Sequence, residues 1–150
     1  MSIFDETNEI PSNDSMGDSI LDINTSEAQE PTCVEDGEYE IRITGFRKDN
    51  EGKIVRTSDK GNKYFIITFD IPSEEFSKGL SKIFSVPTDD MEPKRINAIK
   101  WDLDCFKRAF NLDEINFNSM IGRTGYALLR TSHSEAYGDQ NEISKFVTGA

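Results

Sequence analysis

The sequence predicts a mainly β protein, one small barrel of five strands with a single helix, behind an acidic N-terminal arm. Three observations predict it. Apolar and polar residues alternate in several short runs bounded by turn residues, the period-two pattern of half-buried strands. Only one stretch carries apolar residues at helical spacing. The first 36 residues hold too few apolar side chains to bury a core, which is the composition of a disordered segment. A chain of 150 residues has room for one modest core and little else.

Charge separates the arm from the body. The formal net charge is -11, which alone would argue against a nucleic-acid partner. Ten of the 28 acidic side chains and none of the 17 Lys and Arg fall in residues 1–36, so residues 37–150 hold 18 acids against 17 bases and are close to neutral. Any judgement about partners therefore rests on local patches of the body. The arm's apolar residues are scattered (Ile3-Phe4, Ile20-Leu21, Ile23). It reads as a solvated tail, a partner-binding segment or a mimic of the nucleic-acid backbone.

Order is expected from the turn Glu35-Asp36-Gly37, which divides the chain into an arm, 1–36, and a domain, 37–150. In the first strand, Glu38 to Phe46, Tyr39, Ile41 and Ile43 alternate with Glu38, Glu40, Arg42 and Thr44. The second, Lys63 to Ile71, sets Phe65, Ile67, Phe69 and Ile71 on one face and Tyr64, Ile66, Thr68 and Asp70 on the other. Leu80 to Val86 is a third strand closed by Pro87, its register blurred by the adjacent Ile83 and Phe84. Ile96, Ile99, Leu103, Phe106 and Phe110 then recur at steps of three and four along one helical face, with Pro93 at the run-in and Asn111 at the end. A connector with room for a helical turn leads to strands at Gly122 to Thr131 and Glu142 to Val147. Three strands, a helix and two strands is the element order of the oligonucleotide/oligosaccharide-binding barrel, the OB-fold, with the helix capping one end. An SH3-like barrel or an α+β sandwich shares that order.

OB-folds bind single strands on the face of strands 2 and 3 and through the loops joining strands 1–2 and 4–5. The loop from Arg47 to Lys63 holds Arg47, Lys48, Lys53, Arg56, Lys60 and Lys63 against Asp49, Glu51 and Asp59. Such a loop can track a phosphate backbone, or be charged only for solubility. Alternation leaves Phe46, Tyr64 and Ile66 off the core face beside Arg42 and Thr68. Exposed rings next to cations are what base stacking needs. In the expected loop Thr131 to Asn141, Tyr137 and His133 are further rings, though Tyr137 is equally at home in a turn. Arg130 and Lys145 flank that loop. Trp101 lies off the helical stripe and is expected to be partly buried against the barrel edge.

Other chemistries find little purchase. There is no Ser/His/Asp or Cys/His motif and no glycine-rich phosphate loop, so no enzyme and no cofactor is expected. The triplets Glu51-Gly52-Lys53 and Glu92-Pro93-Lys94 fall in turns, where a metal nuclease needs a rigid strand. Cys33 and Cys105 form no disulfide framework and, with the lone His133, no metal spacing, which fits a reducing compartment such as the cytoplasm. Neither a membrane span nor a signal-peptide pattern is readable.

Gly37-Glu38-Tyr39-Glu40, the run from Tyr64 to Ile71, Gly122-Arg123, Tyr137-Gly138 and Asn141-Glu142-Ile143 together resemble a group of short phage proteins of undefined function. That group is related to phage single-stranded-DNA-binding OB-folds of replication and recombination modules. The resemblance covers roughly residues 35–147 and implies binding of single-stranded DNA. It also implies replication or recombination proteins as partners, met through the arm. Many such binders carry their acidic tail at the C-terminus, whereas here the acids come first. They often work as multimers, and no coiled-coil repeat speaks for that here. The expected site is base stacking on Phe46, Tyr64 and Tyr137, with phosphates met by Arg42, Lys48, Lys53, Arg56, Lys60, Lys63, Lys82 and Arg130. The rival expectation is a protein-interaction module that does not touch DNA.

Overall fold

A computed structural model describes residues 20–148. Met1 to Ser19, the first half of the predicted arm, lies outside them. The elements are β1 (Gly37–Phe46), β2 (Arg56–Thr57), β3 (Lys63–Asp70), β4 (Leu80–Ser85), α1 (Pro93–Ala109), α2 (Phe117–Met120), β5 (Thr124–Ser134) and β6 (Gly138–Val147). All six strands belong to one antiparallel sheet in the order β2-β3-β1-β5-β6, with β4 paired to β3. The protein is mainly β, as the alternation predicts. Among the described residues no helix is long and apolar enough to cross a membrane.

The sheet curls but does not close. β4 and β6 come into contact without hydrogen-bonding to each other, and α1 packs on β4, β5 and β6 over the gap. Phe106 of α1 fills it: its ring lies 5.0 Å from Phe84 of β4 and 5.5 Å from Phe146 of β6, which are themselves 6.2 Å apart. These tilted and stacked pairs are geometries that the ring quadrupoles favour. Phe69 and Phe110 continue the cluster, and Ile41, Ile43, Phe65, Ile67, Leu80, Met120, Ala127 and Leu129 complete the core.

α1 starts with Pro93 in its first turn and stops at Phe110 and Asn111, the latter in the left-handed region at φ 56°. Its last carbonyls, of Phe106, Lys107 and Arg108, accept from the N–H groups of Phe110, Leu112 and Asn111 in the turn that follows. Arg123 Nη2 donates to the oxygens of Asn111 at 2.7 Å and of Phe110 at 3.3 Å, a cation at the negative end of the helix dipole.

The structure corrects three boundaries. Strands β5 and β6 run to Ser134 and Gly138, so most of the expected loop Thr131 to Asn141 is a long hairpin with a turn at 135–137. A two-residue strand, β2, breaks the loop after β1. Order reaches back past Gly37 into the predicted arm: Thr32 N donates to Phe76 O and Lys78 N to Thr32 O, and Val34 is buried. The buried Asn141 holds Val34 from both sides, its Oδ1 accepting from Val34 N at 2.9 Å and its Nδ2 donating to Val34 O at 3.0 Å. A side-chain amide thus satisfies one residue's main chain where no strand reaches it.

Gly125 sets how closely α1 approaches β5. A Cβ there would stand 2.7 Å from Ala109 O and 2.9 Å from Phe110 Cδ1. Gly125→Ala should therefore destabilise the domain by about 1–3 kcal/mol, the usual range for overpacking. Urea denaturation followed by circular dichroism measures it, and a midpoint equal to the parent's would disprove the contact.

Candidate nucleic-acid interface

Which side chains face away from the core follows from the pairing register. Residues directly opposite in antiparallel strands share a face. Phe69 and Ile67 are core residues, so Ile43, opposite Phe69, and Phe46, opposite Ile67, point inward. Between Ile43 and Gly45 the register slips by one residue, a β-bulge that reverses the alternation of β1. Phe46 consequently joins the core side, where it packs edge-on against Phe117 of α2 at 5.0 Å. It is no stacking platform, contrary to the expectation from simple alternation.

The outer face of β3 and its neighbours carries Arg56, Tyr64, Ile66, Ile83, Thr44, Thr68, Arg42 and Asp70. Tyr64 pairs with Arg56 across β2 and β3, and the Arg56 guanidinium carbon lies 5.7 Å from the Tyr64 ring centroid. Ile66 pairs with Ile83 across β3 and β4, and although it is on the outer face it is buried. Ile83 is 62% exposed, and Phe84 beside it faces the core, which settles the register that sequence left blurred. One patch therefore holds an aromatic ring capped by a guanidinium next to an open aliphatic side chain. Sequence reasoning found Tyr64 and Arg56 and missed Ile83.

The loop from Arg47 to Lys63 leads from β1 through β2 into β3. It folds around Asp49, whose Oδ1 accepts from the main-chain N–H of Lys53 at 2.8 Å and of Glu51 at 2.9 Å. The Lys53 hydrogen bond lowers the pKa of this carboxyl most, desolvation opposes it, and the Glu51 hydrogen bond and the charges of Lys53 and Arg56 add to it. A second turn closes through Ser58, with Gly61 N donating to Ser58 O and Ser58 N to Asn62 O. Lys48, Lys60 and Lys63 are exposed on this loop and have no ion-pair partner among the described residues, while Lys53 pairs with Glu51 at 3.3 Å.

The other predicted cations do not join this group as free charges. Arg42 faces outward on β1 but is held by Asp70 through two hydrogen bonds, at 2.5 and 3.1 Å, which also raise its pKa. Lys82 is on the core side of β4: its ammonium sits 5.2 Å from the Phe84 ring and 5.9 Å from Phe146, and bridges to Asp102 of α1 at 3.6 Å. Its register opposite the core residue Ile67 takes it off the Tyr64 face, a correction to its expected phosphate role. Arg130 lies on β5 and pairs with Glu142 at 2.6 Å. Tyr137 is at the hairpin tip, 75% exposed, and His133 pairs with Asp139.

Two cations outside the expected set line a polar cleft of about 300 Å³ with Ser81, Ser132, Gln140 and Glu142. They are Arg47 and Lys78. Lys78 Nζ donates to Asp139 O at 2.7 Å, tying the approach to β4 to the β5–β6 hairpin. A lysine just ahead of a strand gave no signal in sequence. Neither a family model nor a curated protein matches this chain.

The Asp49 geometry gives a pH dependence with a definite sign. Its carboxyl titrates lower in the folded loop than in the unfolded chain, so the order it contributes is complete above the ordinary carboxylate range and is lost as pH falls through that range and below it. Amide hydrogen exchange at Glu51 and Lys53 should accelerate on acidification, over and above the intrinsic rate change, only once Asp49 protonates. Asp49→Asn, which keeps the acceptor and removes the titration, should abolish that dependence.

Proposed function

We propose that this protein binds single-stranded DNA with little regard to sequence, on the outer face of β3 and β4, and that its domain is an OB-fold. The strand order β4-β3-β1-β5-β6 with the edges β4 and β6 side by side, and a helix between β4 and β5, is what a partly open five-stranded Greek-key barrel requires. In that scheme β3 and β4 are the second and third barrel strands, the face on which OB-folds lay their ligand. The observation that carries the reading is the Arg56–Tyr64 pair beside Ile83 on this face. Bases would stack on Tyr64 and lie against Ile83, and Arg56 and Lys60 would meet phosphates; Lys63, one residue from Tyr64, faces the other way, and Lys48 lies beside Phe46 and Phe117. A place in a phage replication or recombination module, in the host cytoplasm, goes with this reading through the resemblance of its motifs.

A protein-interaction role is the second reading. What favours it is that Arg42, Lys53, Lys82 and Arg130 each spend their charge on a carboxylate of the chain itself. That leaves a smaller positive surplus than a count of bases suggests.

Titration of a fluorescent oligo-dT at several salt concentrations separates the two. Each phosphate contact on a single strand contributes about −0.7 to the slope of log K against log salt, so Arg56→Ala or Lys60→Ala should each reduce the slope by about that amount. Tyr64→Ala should weaken binding by about 1–3 kcal/mol, the worth of one stacked base. Lys82→Ala should leave affinity unchanged, because that ammonium is in the β4–β6 gap. Absence of binding at low salt removes the DNA reading.

A further inference from the structure

A groove of about 650 Å³ lies away from the Tyr64 face, between α1 and the strands β4 and β6. Its helical wall is a second stripe on α1, with Ala98, Trp101, Cys105 and Arg108 at steps of three and four. Sequence reading expected Trp101 to be partly buried against the barrel edge. Instead the ring stands 62% exposed, with the Arg108 guanidinium carbon 5.3 Å from it. Across the groove, Ile143 and Phe146 supply apolar lining and Lys82 and Lys145 supply charge. Lys82 is bridged to Asp102 and Arg108 to Asp104, so Lys145 is the cation of this lining without an ion-pair partner among the described residues, beside an open indole. Such a groove suits an extended segment that is both aliphatic and acidic.

The chain itself carries a segment of that chemistry. Ile20, Leu21 and Ile23 are 84, 77 and 67% exposed, the densest run of uncovered aliphatic side chains among the described residues. Asp18 and Asp22 adjoin them in the sequence, and no Lys or Arg occurs before Arg42. The attachment point also fits. Thr32 is bridged to Ser77, a neighbour about 5 Å away. Lys82 is five residues beyond Ser77, at most about 17 Å along the chain, so the groove wall begins within about 22 Å of Thr32. The nine residues from Thr32 back to Ile23 reach about 30 Å when extended. A tether of this length keeps the segment at an effective concentration on the order of millimolar.

We propose that the α1–β6 groove is a docking site for the chain's own segment around Ile20, Leu21, Asp22 and Ile23, which lays its aliphatic side chains on Trp101 and Ile143 and its carboxylates near Lys145. The groove then serves as a seat for acidic, aliphatic peptides, with the arm as its resident occupant. This stands whether or not the outer face of β3 and β4 binds DNA.

Trp101 is the single tryptophan of the sequence, so its fluorescence reports on the groove directly. In the full-length protein, combined Ile20→Ser, Leu21→Ser and Ile23→Ser substitutions should shift Trp101 emission to the red and increase acrylamide quenching. All three positions are exposed, so the fold is not at risk. Lys145→Glu, which leaves the arm intact, should move both readouts the same way. A peptide of residues 14–28 added in excess to the triple variant should restore the parent spectrum. Unchanged emission in both variants would overturn the proposal. So would a parent spectrum that changes on dilution, since that assigns the groove to a second copy of the chain.

Discussion

Three phenylalanine rings hold together what hydrogen bonds do not. β4 and β6 are the two free edges of the curled sheet, and the Phe84, Phe106 and Phe146 contacts join them through α1. Aromatic packing tolerates a gap that a ladder of main-chain bonds could not span, because it depends on area and shape rather than on register. Lys82 lies against two of these rings and reaches Asp102, so a cation is built into the seam. The helix, committed to that seam, does not cover the opposite side of β3 and β4, where Ile83 stands exposed. Both candidate surfaces thus depend on one closure: it leaves the Tyr64 face open and it builds the walls of the Trp101 groove.

Much of this fold was legible in the sequence. Wherever a strand has one buried face, as at Ile41 and Ile43 or at Phe65, Ile67 and Phe69, alternation marked it, and the helix was marked by the spacing of its apolar stripe. The β5–β6 hairpin was too short as first read because its outer half leaves the barrel: Ser132, His133, Asp139 and Gln140 have no core beneath them and need no alternation. The acidic segment up to Asp36 looked uniform, yet Val34 is pinned by Asn141, 107 positions away. A contact of that separation leaves no local trace.

The site was less legible than the fold, for a reason that lies in one residue. The bulge before Gly45 moves Phe46 from the predicted outer face to the core, and a parity argument fails downstream of any such insertion. Charge counting misled in a second way. It registers that Arg42, Lys53 and Arg130 are basic but not that Asp70, Glu51 and Glu142 already face them. The pair that survived, Tyr64 with Arg56, sits on a regular stretch of β3 where neither difficulty arises. Ile83 escaped notice because two adjacent large apolar residues allow either one to face outward.

The grip of Asn141 on Val34 has a bearing on how the chain can vary. Both of its hydrogen bonds go to main-chain atoms, as do those that fix Thr32 to Phe76 and Lys78. Side chains are called on at two positions of this junction: Val34 is buried, and Asp36 Oδ1 accepts from Thr131 N at 2.8 Å and from Thr131 Oγ1 at 3.1 Å. Among the described residues, those from Ile20 to Pro31 make no hydrogen bond to the barrel, so their sequence can vary while the same socket goes on holding the chain at Thr32 and Val34.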